Sequence, residues 1–228
     1  MKNTMNEIVR QLKQCILFRD LSEEVLEQQI LPYGNLQEYS KDRYILMAQE
    51  RMDFFGVLLS GKVHAMHIYG DGNYCIIDVV EDAEIIGADL MWSRSRIAPY
   101  YAVAAVPSRV LQFPISMVTE PGMLPEECRE QIVGKFLLLV SNENIRKYYR
   151  LAILSQKGLR ERIMTYLTMQ ANKRQSSSFS IPFSREELAS YLCVNRSALS
   201  HELSQMQQEG LIAFRKNRFT LLRQTEAR

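Results

Sequence analysis

Between Pro125 and Gly158 the chain runs without a proline and with a single glycine, Gly134. A stretch of that kind is a long helix, predicted from Glu126 to about Leu154, because one internal glycine costs only about 1 kcal/mol. At ~1.5 Å per residue it extends roughly 45 Å, too far to be covered on all sides by one small domain. The 228 residues therefore divide around it. Its apolar side chains fall in two stripes: Val133, Leu137, Val140, Tyr148 and Leu151 make one, and Ile132, Phe136, Leu139 and Ile153 the adjoining one. Two stripes suit two partners, the chain's own core and the same helix of a second subunit in a coiled coil. Asn142, Glu143 and Asn144 interrupt both stripes where a dimer would set its register. A core helix inside one larger domain is the other reading.

Upstream, helical periodicity runs from about Met5 to Leu31, with Ser22 placed to cap a helix holding Val25 and Ile30. From Glu38 to Phe113 the pattern changes to short apolar runs: Tyr44 to Met47, Phe54 to Leu59, Val63 to Tyr69, Tyr74 to Val80, Tyr100 to Val106 and Val110 to Phe113. Ser60-Gly61-Lys62 and Gly70-Asp71-Gly72-Asn73 supply residues tolerant of positive φ between them, so both read as hairpin turns. The whole reads as an antiparallel barrel or sandwich, stopped by Pro121 and Pro125.

Downstream, the break at Ser155-Gln156-Lys157-Gly158 precedes an amphipathic helix from Leu159 to the polar segment Asn172 to Ser178. Ser184-Arg185-Glu186-Glu187 is a capping box opening a short helix with Leu188, Ala189, Tyr191 and Leu192. Cys193-Val194 makes a tight turn, Asn195 caps a second helix from Arg196 to Gln208, and Gly210 ends it. Short helix, turn, longer helix is the helix-turn-helix plan. Leu199, Leu203 and Met206 form the inward stripe, leaving Arg196, Ser197, Ser200, His201 and Gln205 to face a DNA major groove. Leu211 to Phe214 and Phe219 to Leu222 flank the basic turn Arg215-Lys216-Asn217-Arg218 as a wing whose tip meets phosphates.

Charge agrees with that reading. From Gln156 onward there are 12 Lys and Arg against 6 Asp and Glu, and the preceding residues carry 16 against 20, so a basic tail follows an acidic front. No apolar run approaches the roughly 18 to 20 residues that cross a bilayer, so no membrane partner is expected and the cytoplasm is the expected location. Cys15, Cys75, Cys128 and Cys193 lie far apart with no Cys-x-x-Cys pair, and reduced buried thiols are expected. His64 and His67, three apart on a strand, point to opposite faces, so no shared metal is expected.

On Ser184 through Leu203, Glu209-Gly210-Leu211-Ile212 and Leu58-Leu59-Ser60-Gly61-Lys62-Val63, the chain resembles the cyclic-AMP receptor protein and FNR family of bacterial regulators over essentially its full length. The resemblance implies an α+β fold: an N-terminal antiparallel β-barrel of the cyclic-nucleotide-binding jelly-roll type (residues 1–124), a dimerisation helix (125–155) and a C-terminal winged helix-turn-helix (156–228). It implies a homodimer on double-stranded DNA at a palindromic operator, acting on RNA polymerase, with no catalytic residue and no cofactor. Ser184, Arg185, Asn195, Arg196, Ser197, Ser200, His201, Gln205, Arg215, Lys216 and Arg218 are the DNA-binding candidates. Arg196 falls where the family reads guanine, whereas Ser197 and His201 replace a Glu and an Arg that many members carry.

The sensor end departs further. Where nucleotide-binding members have a Gly-Glu pair for ribose and an Arg-Ser pair for the cyclic phosphate, this chain has Gly87-Ala88 and Pro99-Tyr100. A cyclic phosphate would lack its bidentate guanidinium partner, and Arg94 and Arg96 read as solvent-exposed loop residues, so an effector other than cyclic AMP is expected. One N-terminal cysteine is too few for an iron-sulfur cluster. Met66, Tyr74, Gly87, Ala88, Met91, Trp92, Tyr100, Tyr101 and Phe136 are the candidate lining of an apolar or aromatic ligand site, and the same residues also suit ordinary core packing. A ligand-free or redox-responsive barrel is the alternative. A cupin-like metalloenzyme is a remote one, because its several converging His and carboxylate ligands are not met by three histidines.

Overall fold

The computed structural model describes residues 2–70 and 72–222. They form two compact units: the first runs to Asn73 and resumes at Ile77–Asn144, and the second takes Tyr74–Ile76 and continues from Ile145.

The first unit opens with α1 (Lys2–Leu12), which buries Val9 and Leu12 on one face. The helical lead-in consists of short pieces, with a new start at Ser22 as its capping character predicts. Ser22 caps a single turn, α2 (Glu23–Val25), by accepting the Val25 amide at 3.2 Å. A wide turn over Leu26–Ile30 and a tight one over Leu31–Tyr33 follow, where Pro32 has no N–H to continue an α-helical ladder.

The strands are β1 (Asn35–Tyr39), β2 (Tyr44–Leu46), β3 (Phe54–Ser60), β4 (Val63–Ile68), β5 (Tyr74–Val80), β6 (Ile85–Ile86), β7 (Tyr101–Ala104) and β8 (Ser108–Pro114). They make two four-stranded sheets, β1-β8-β3-β6 and β2-β7-β4-β5. Of the barrel or sandwich that the run spacing allows, the chain forms the sandwich: the sheets are not closed into a barrel and the arrangement is jelly-roll-like. The reason is local: β6 and β2 offer only two and three residues of ladder, and register shifts at Tyr44/Leu46 and Leu58/Ser60 turn the strands out of continuous pairing. Gly61 makes the β3–β4 turn at φ +118°, where an added Cβ would run into Ser108. The second expected turn includes Asp71, which lies outside the described residues.

An aromatic cluster fills the interior of this unit. Phe113 lies 5.4 Å from both Phe18 and Phe55, and Phe136 meets Phe55 edge-on at 5.2 Å. All four rings are fully buried, each contributing about 1.5–3 kcal/mol of burial. Phe136 comes from α4 (Glu126–Leu154), which a short helix, α3 (Ser116–Thr119), precedes. Lys135 pairs with Asp20 beside the cluster and holds that carboxyl below its ordinary range.

The second unit holds α5 (Leu159–Arg174), β9 (Ser178–Ser180), α6 (Arg185–Tyr191), α7 (Arg196–Gln208), β10 (Ile212–Arg215) and β11 (Arg218–Leu221). Its antiparallel sheet has the order β10-β11-β9, with Phe214 opposite Phe219 and Phe219 opposite Phe179. α5 packs on β9, β11 and α7, burying Ile163, Tyr166 and Leu167. This is a winged helix-turn-helix. No described helix is long and apolar enough to cross a membrane.

Candidate nucleic-acid interface

Two local capping reactions set the two helices of the motif. Ser184 accepts the Glu187 amide at 3.2 Å while the Glu187 carboxylate accepts the Ser184 amide at 2.6 Å, so the capping box is complete at the start of α6. Asn195 caps α7 by accepting the Ala198 amide at 2.7 Å, and its oxygen also accepts the Ser197 hydroxyl at 2.9 Å. Between the helices Cys193 takes a left-handed φ of +56°, a conformation a non-glycine residue adopts at a cost. The Val194 amide donates to the Ala189 carbonyl at 3.0 Å and closes the turn. Gly210, at φ +71°, ends α7 one residue beyond its C-cap Glu209.

Leu199, Leu203 and Met206 are fully buried, fixing the rotation of α7. The opposite face is polar: Arg196, Ser197 and His201 are exposed, and Ser200 and Gln205 are partly so. Arg196 sits at the first turn, the end of such a helix that enters the major groove, where a guanidinium can donate to guanine O6 and N7 together. The wing turn presents Arg215, Lys216 and Arg218 in the open, with Lys216 at φ +55°.

Arg185 is placed differently from its neighbours. Its guanidinium lies over the Phe214 ring at 4.8 Å and the Phe219 ring at 5.7 Å, and donates to the Lys216 carbonyl at 3.3 Å. Burial, and then the charge of Arg196, lower its pKa from the ordinary guanidinium range. Arg185 thus ties α6 to the wing while adding positive potential beside Arg196.

One residue of this framework carries no mark in its own sequence neighbourhood. Arg160 of α5 donates to Glu202 of α7 at 2.6 Å and, through both terminal nitrogens, to Glu209 at 2.7 and 2.9 Å. A sequence signal existed: Glu202 and Glu209 are seven apart and so share one face across two turns of α7.

The candidate effector-site residues differ in their surroundings. Ala88 and Met91 are buried, Phe136 is locked in the aromatic cluster, and Met66 lies within β4. Trp92 is exposed, Tyr101 meets Tyr44 in a tilted ring contact with centres 5.5 Å apart, and Tyr74 belongs to the segment Tyr74–Ile76 of the second unit. Gly87 holds φ +82°, a backbone conformation that strains any L side chain, and a Cβ there would also push the Met52 thioether aside, so the local fold calls for glycine without a ligand. The Tyr100 hydroxyl donates to Asp89 at 2.7 Å, and burial followed by Asp89 pushes its pKa up. Arg94 is exposed and Arg96 partly so. Among the described residues, no three His, Cys, Asp or Glu side chains gather as a metal site.

Along α4, Ile132, Phe136 and Ile153 are buried, whereas Leu137, Tyr148 and Leu151 are 71%, 66% and 64% exposed; Val133 and Val140 lie between.

Comparison with known proteins follows the same division. A family model described as the Crp-like helix-turn-helix domain matches residues 161–226, and one described as the cyclic nucleotide-binding domain matches residues 36–120. Electron transport regulator A of Shewanella oneidensis is 24% identical over 177 residues, which cover 75% of this chain and 68% of that protein. Transcriptional activator protein FnrA of Stutzerimonas stutzeri is 25% identical over 158 residues, covering 67% of this chain and 62% of its own length. Among solved structures, FixK2 of Bradyrhizobium japonicum superposes with a TM-score of 0.64 at 19% identity, covering 83% of this chain and 93% of its own. The c-di-GMP responsive regulator CLP of Xanthomonas campestris does so with a TM-score of 0.70 at 13% identity, covering 89% and 100%.

Proposed function

Because the chain belongs to the Crp/Fnr family of DNA-binding transcription regulators, we propose that it acts in the cytoplasm as a homodimer on a two-fold symmetric operator, recruiting or blocking RNA polymerase under the control of a small molecule other than cyclic AMP. In this reading residues 1–124 are the sensor, 125–155 the dimerisation helix and 156–228 the DNA-binding domain.

The observation that carries the proposal is the bare apolar stripe of α4. Leucine and tyrosine side chains exposed by two thirds, in helical register with Val133 and Val140, are what an isolated helix covers by pairing with its own copy. Asn144, four residues from both Val140 and Tyr148, falls on the same stripe, and a polar residue there selects one register. Two copies of α7 related by a dyad then read two half-sites. Arg196, Ser197, Ser200, His201 and Gln205 face base edges, and Ser184, Arg185, Asn195, Arg215, Lys216 and Arg218 meet or organise contacts to phosphate. On the sensor side, the Asp89 carboxylate bonded to Tyr100 supports the exclusion of cyclic AMP, since a cyclic phosphate would meet like charge there.

Sedimentation equilibrium, combined with selection from random duplex DNA, tests this. A dimer and a palindrome with half-sites about 10 base pairs apart are expected. A monomer at micromolar concentration, or an asymmetric selected site, overturns it.

A further inference from the structure

Two thiols of the second unit stand within bonding reach of each other. Cys193 Sγ, in the turn of the helix-turn-helix, is 2.9 Å from Cys75 Sγ, although the two residues are 118 positions apart in sequence. A disulfide has an S–S length of ~2.05 Å, so under ~1 Å of side-chain movement separates the pair from a covalent link. The segment carrying Cys75 is held in place: the Ser190 hydroxyl donates to the Tyr74 carbonyl at 3.1 Å and accepts the Ile76 amide at 2.9 Å, bracketing Cys75 on both sides. We infer that Cys75 and Cys193 are a reversible thiol–disulfide site oxidised by peroxides, and that the state of this pair sets the DNA affinity of the protein.

The two sulfurs are not equivalent. Cys193 is exposed, whereas Cys75 is buried. The hydrogen bond with Cys75, and then the Arg150 and Arg162 charges, lower the Cys193 pKa, while that same hydrogen bond and burial raise that of Cys75. Arg150 also reaches Cys75 Sγ with its Nη2 at 3.3 Å. Cys193, the exposed sulfur, is therefore the one a peroxide reaches and the attacking group, and the buried Cys75 beside it resolves. The other cysteines provide internal controls: burial pushes the Cys15 thiol up to about 12 and raises that of Cys128 as well.

The chemistry balances with a hydroperoxide as oxidant. The Cys193 thiolate attacks the terminal peroxide oxygen, an S–O bond forms, the O–O bond breaks, and the departing alkoxide or hydroxide takes a proton from water. Cys75 then attacks the Cys193 sulfenic acid, the S–S bond forms, the S–O bond breaks, and hydroxide leaves with the Cys75 proton as water. Two thiols and one peroxide give one disulfide, one alcohol or water, and one water. The consequence for DNA rests on the DNA-binding reading above: the bond would clamp the turn two residues before Asn195, which caps the groove-facing helix.

The test uses the full chain, treated with a slight excess of hydrogen peroxide, alkylated and mapped without reduction. A Cys75–Cys193 crosslinked peptide, reversed by dithiothreitol, is expected, with Cys15 and Cys128 recovered as thiols after denaturation. Recovery of Cys193 as a thiol, or a Cys193 link between two copies, overturns the proposal. Cys75→Ser should accumulate a Cys193 sulfenic acid trapped by dimedone, and Cys193→Ser should lose peroxide consumption; peroxide consumption by Cys193→Ser at the wild-type rate overturns the assigned roles. Anisotropy with a selected duplex should then show at least about fivefold different affinity between reduced and oxidised wild type, and none in Cys75→Ser. Equal affinity of both wild-type states overturns the regulatory half. Failure to bind any duplex in either state counts against the DNA-binding reading instead, since the crosslink is read without DNA.

Discussion

Arg160 grips Glu209 with both terminal guanidinium nitrogens, at 2.7 and 2.9 Å, so the C-cap of α7 is fastened to α5 by a planar, two-pronged contact. The third donor of the same group reaches Glu202 at 2.6 Å, one carboxylate per two turns of the helix. Three bonds from one rigid group fix an angle as well as a distance.

The first prediction concerns that brace. Arg160→Ala should weaken operator binding several-fold while leaving circular dichroism unchanged, because the groove-facing residues lose orientation and not identity. Arg160→Lys should fall close to the alanine variant, since an ammonium cannot make the fork. Full affinity in Arg160→Lys would show that charge alone suffices and that the forked geometry has no role.

Arg196 carries the second. Replacing it with alanine should cost roughly 1–3 kcal/mol of operator affinity and relax the preference at one base pair per half-site. Lys216→Ala, at the exposed wing tip, should instead weaken binding to all sequences alike and reduce the slope of log affinity against log salt by about 1. If Arg196→Ala behaves like Lys216→Ala in a selection experiment, Arg196 contacts phosphate.

Much of this site was legible from the sequence because its signals are local. Glu126–Leu154 is a helix over the expected residues, since Pro125 and Gly158 stand beyond its ends and only Gly134 interrupts the run of helix-compatible residues between them. The capping box at Ser184 and the caps at Asn195 and Gly210 involve neighbours one to three residues away. What escaped depends on distant partners. Asn35–Tyr39 is too polar to read as a strand, yet β8 pairs with all of it, from Asn35 opposite Gln112 to Tyr39 opposite Ser108. Ser178–Ser180 looks like a serine-rich link, and its pairing with β11 makes it a strand. Arg160 finds its carboxylates 42 and 49 residues away, which no window of sequence displays. The aromatic and soft character that marks the candidate effector residues also suits an interior, as Phe136 in the core cluster shows, whereas Trp92 is exposed.

Adjacent residues of α4 supply the third prediction. Leu137 is largely exposed and Phe136 is fully buried, so they should fail in different ways. Leu137→Glu should leave thermal stability of the fold nearly unchanged but raise the dimer dissociation constant at least about tenfold, by placing like charges at a seam. Phe136→Ala should cost about 3–5 kcal/mol of stability through the cavity left against Phe55. Sedimentation equilibrium and denaturant unfolding separate the two, and a dimer unaffected by Leu137→Glu would move the subunit interface off this stripe.

Tyr166 offers a case in which removing a polar group should help. Its ring packs against Tyr191 and Phe183 at 5.6 and 6.0 Å, while its hydroxyl is buried and meets no hydrogen-bond partner among the described residues. Burial, followed by the nearby Tyr191, pushes its pKa up, which is the same desolvation seen from the ionised side. A buried hydroxyl without a partner costs about 1–3 kcal/mol. Tyr166→Phe keeps the ring contacts and discards that cost, so stability should rise by about 1 kcal/mol, or about 2–4 °C in Tm for a chain of this size. Because the ring lies behind the helix-turn-helix and not on its polar face, DNA affinity should be unchanged. A loss of stability on removing the hydroxyl would mean that an ordered water satisfies it.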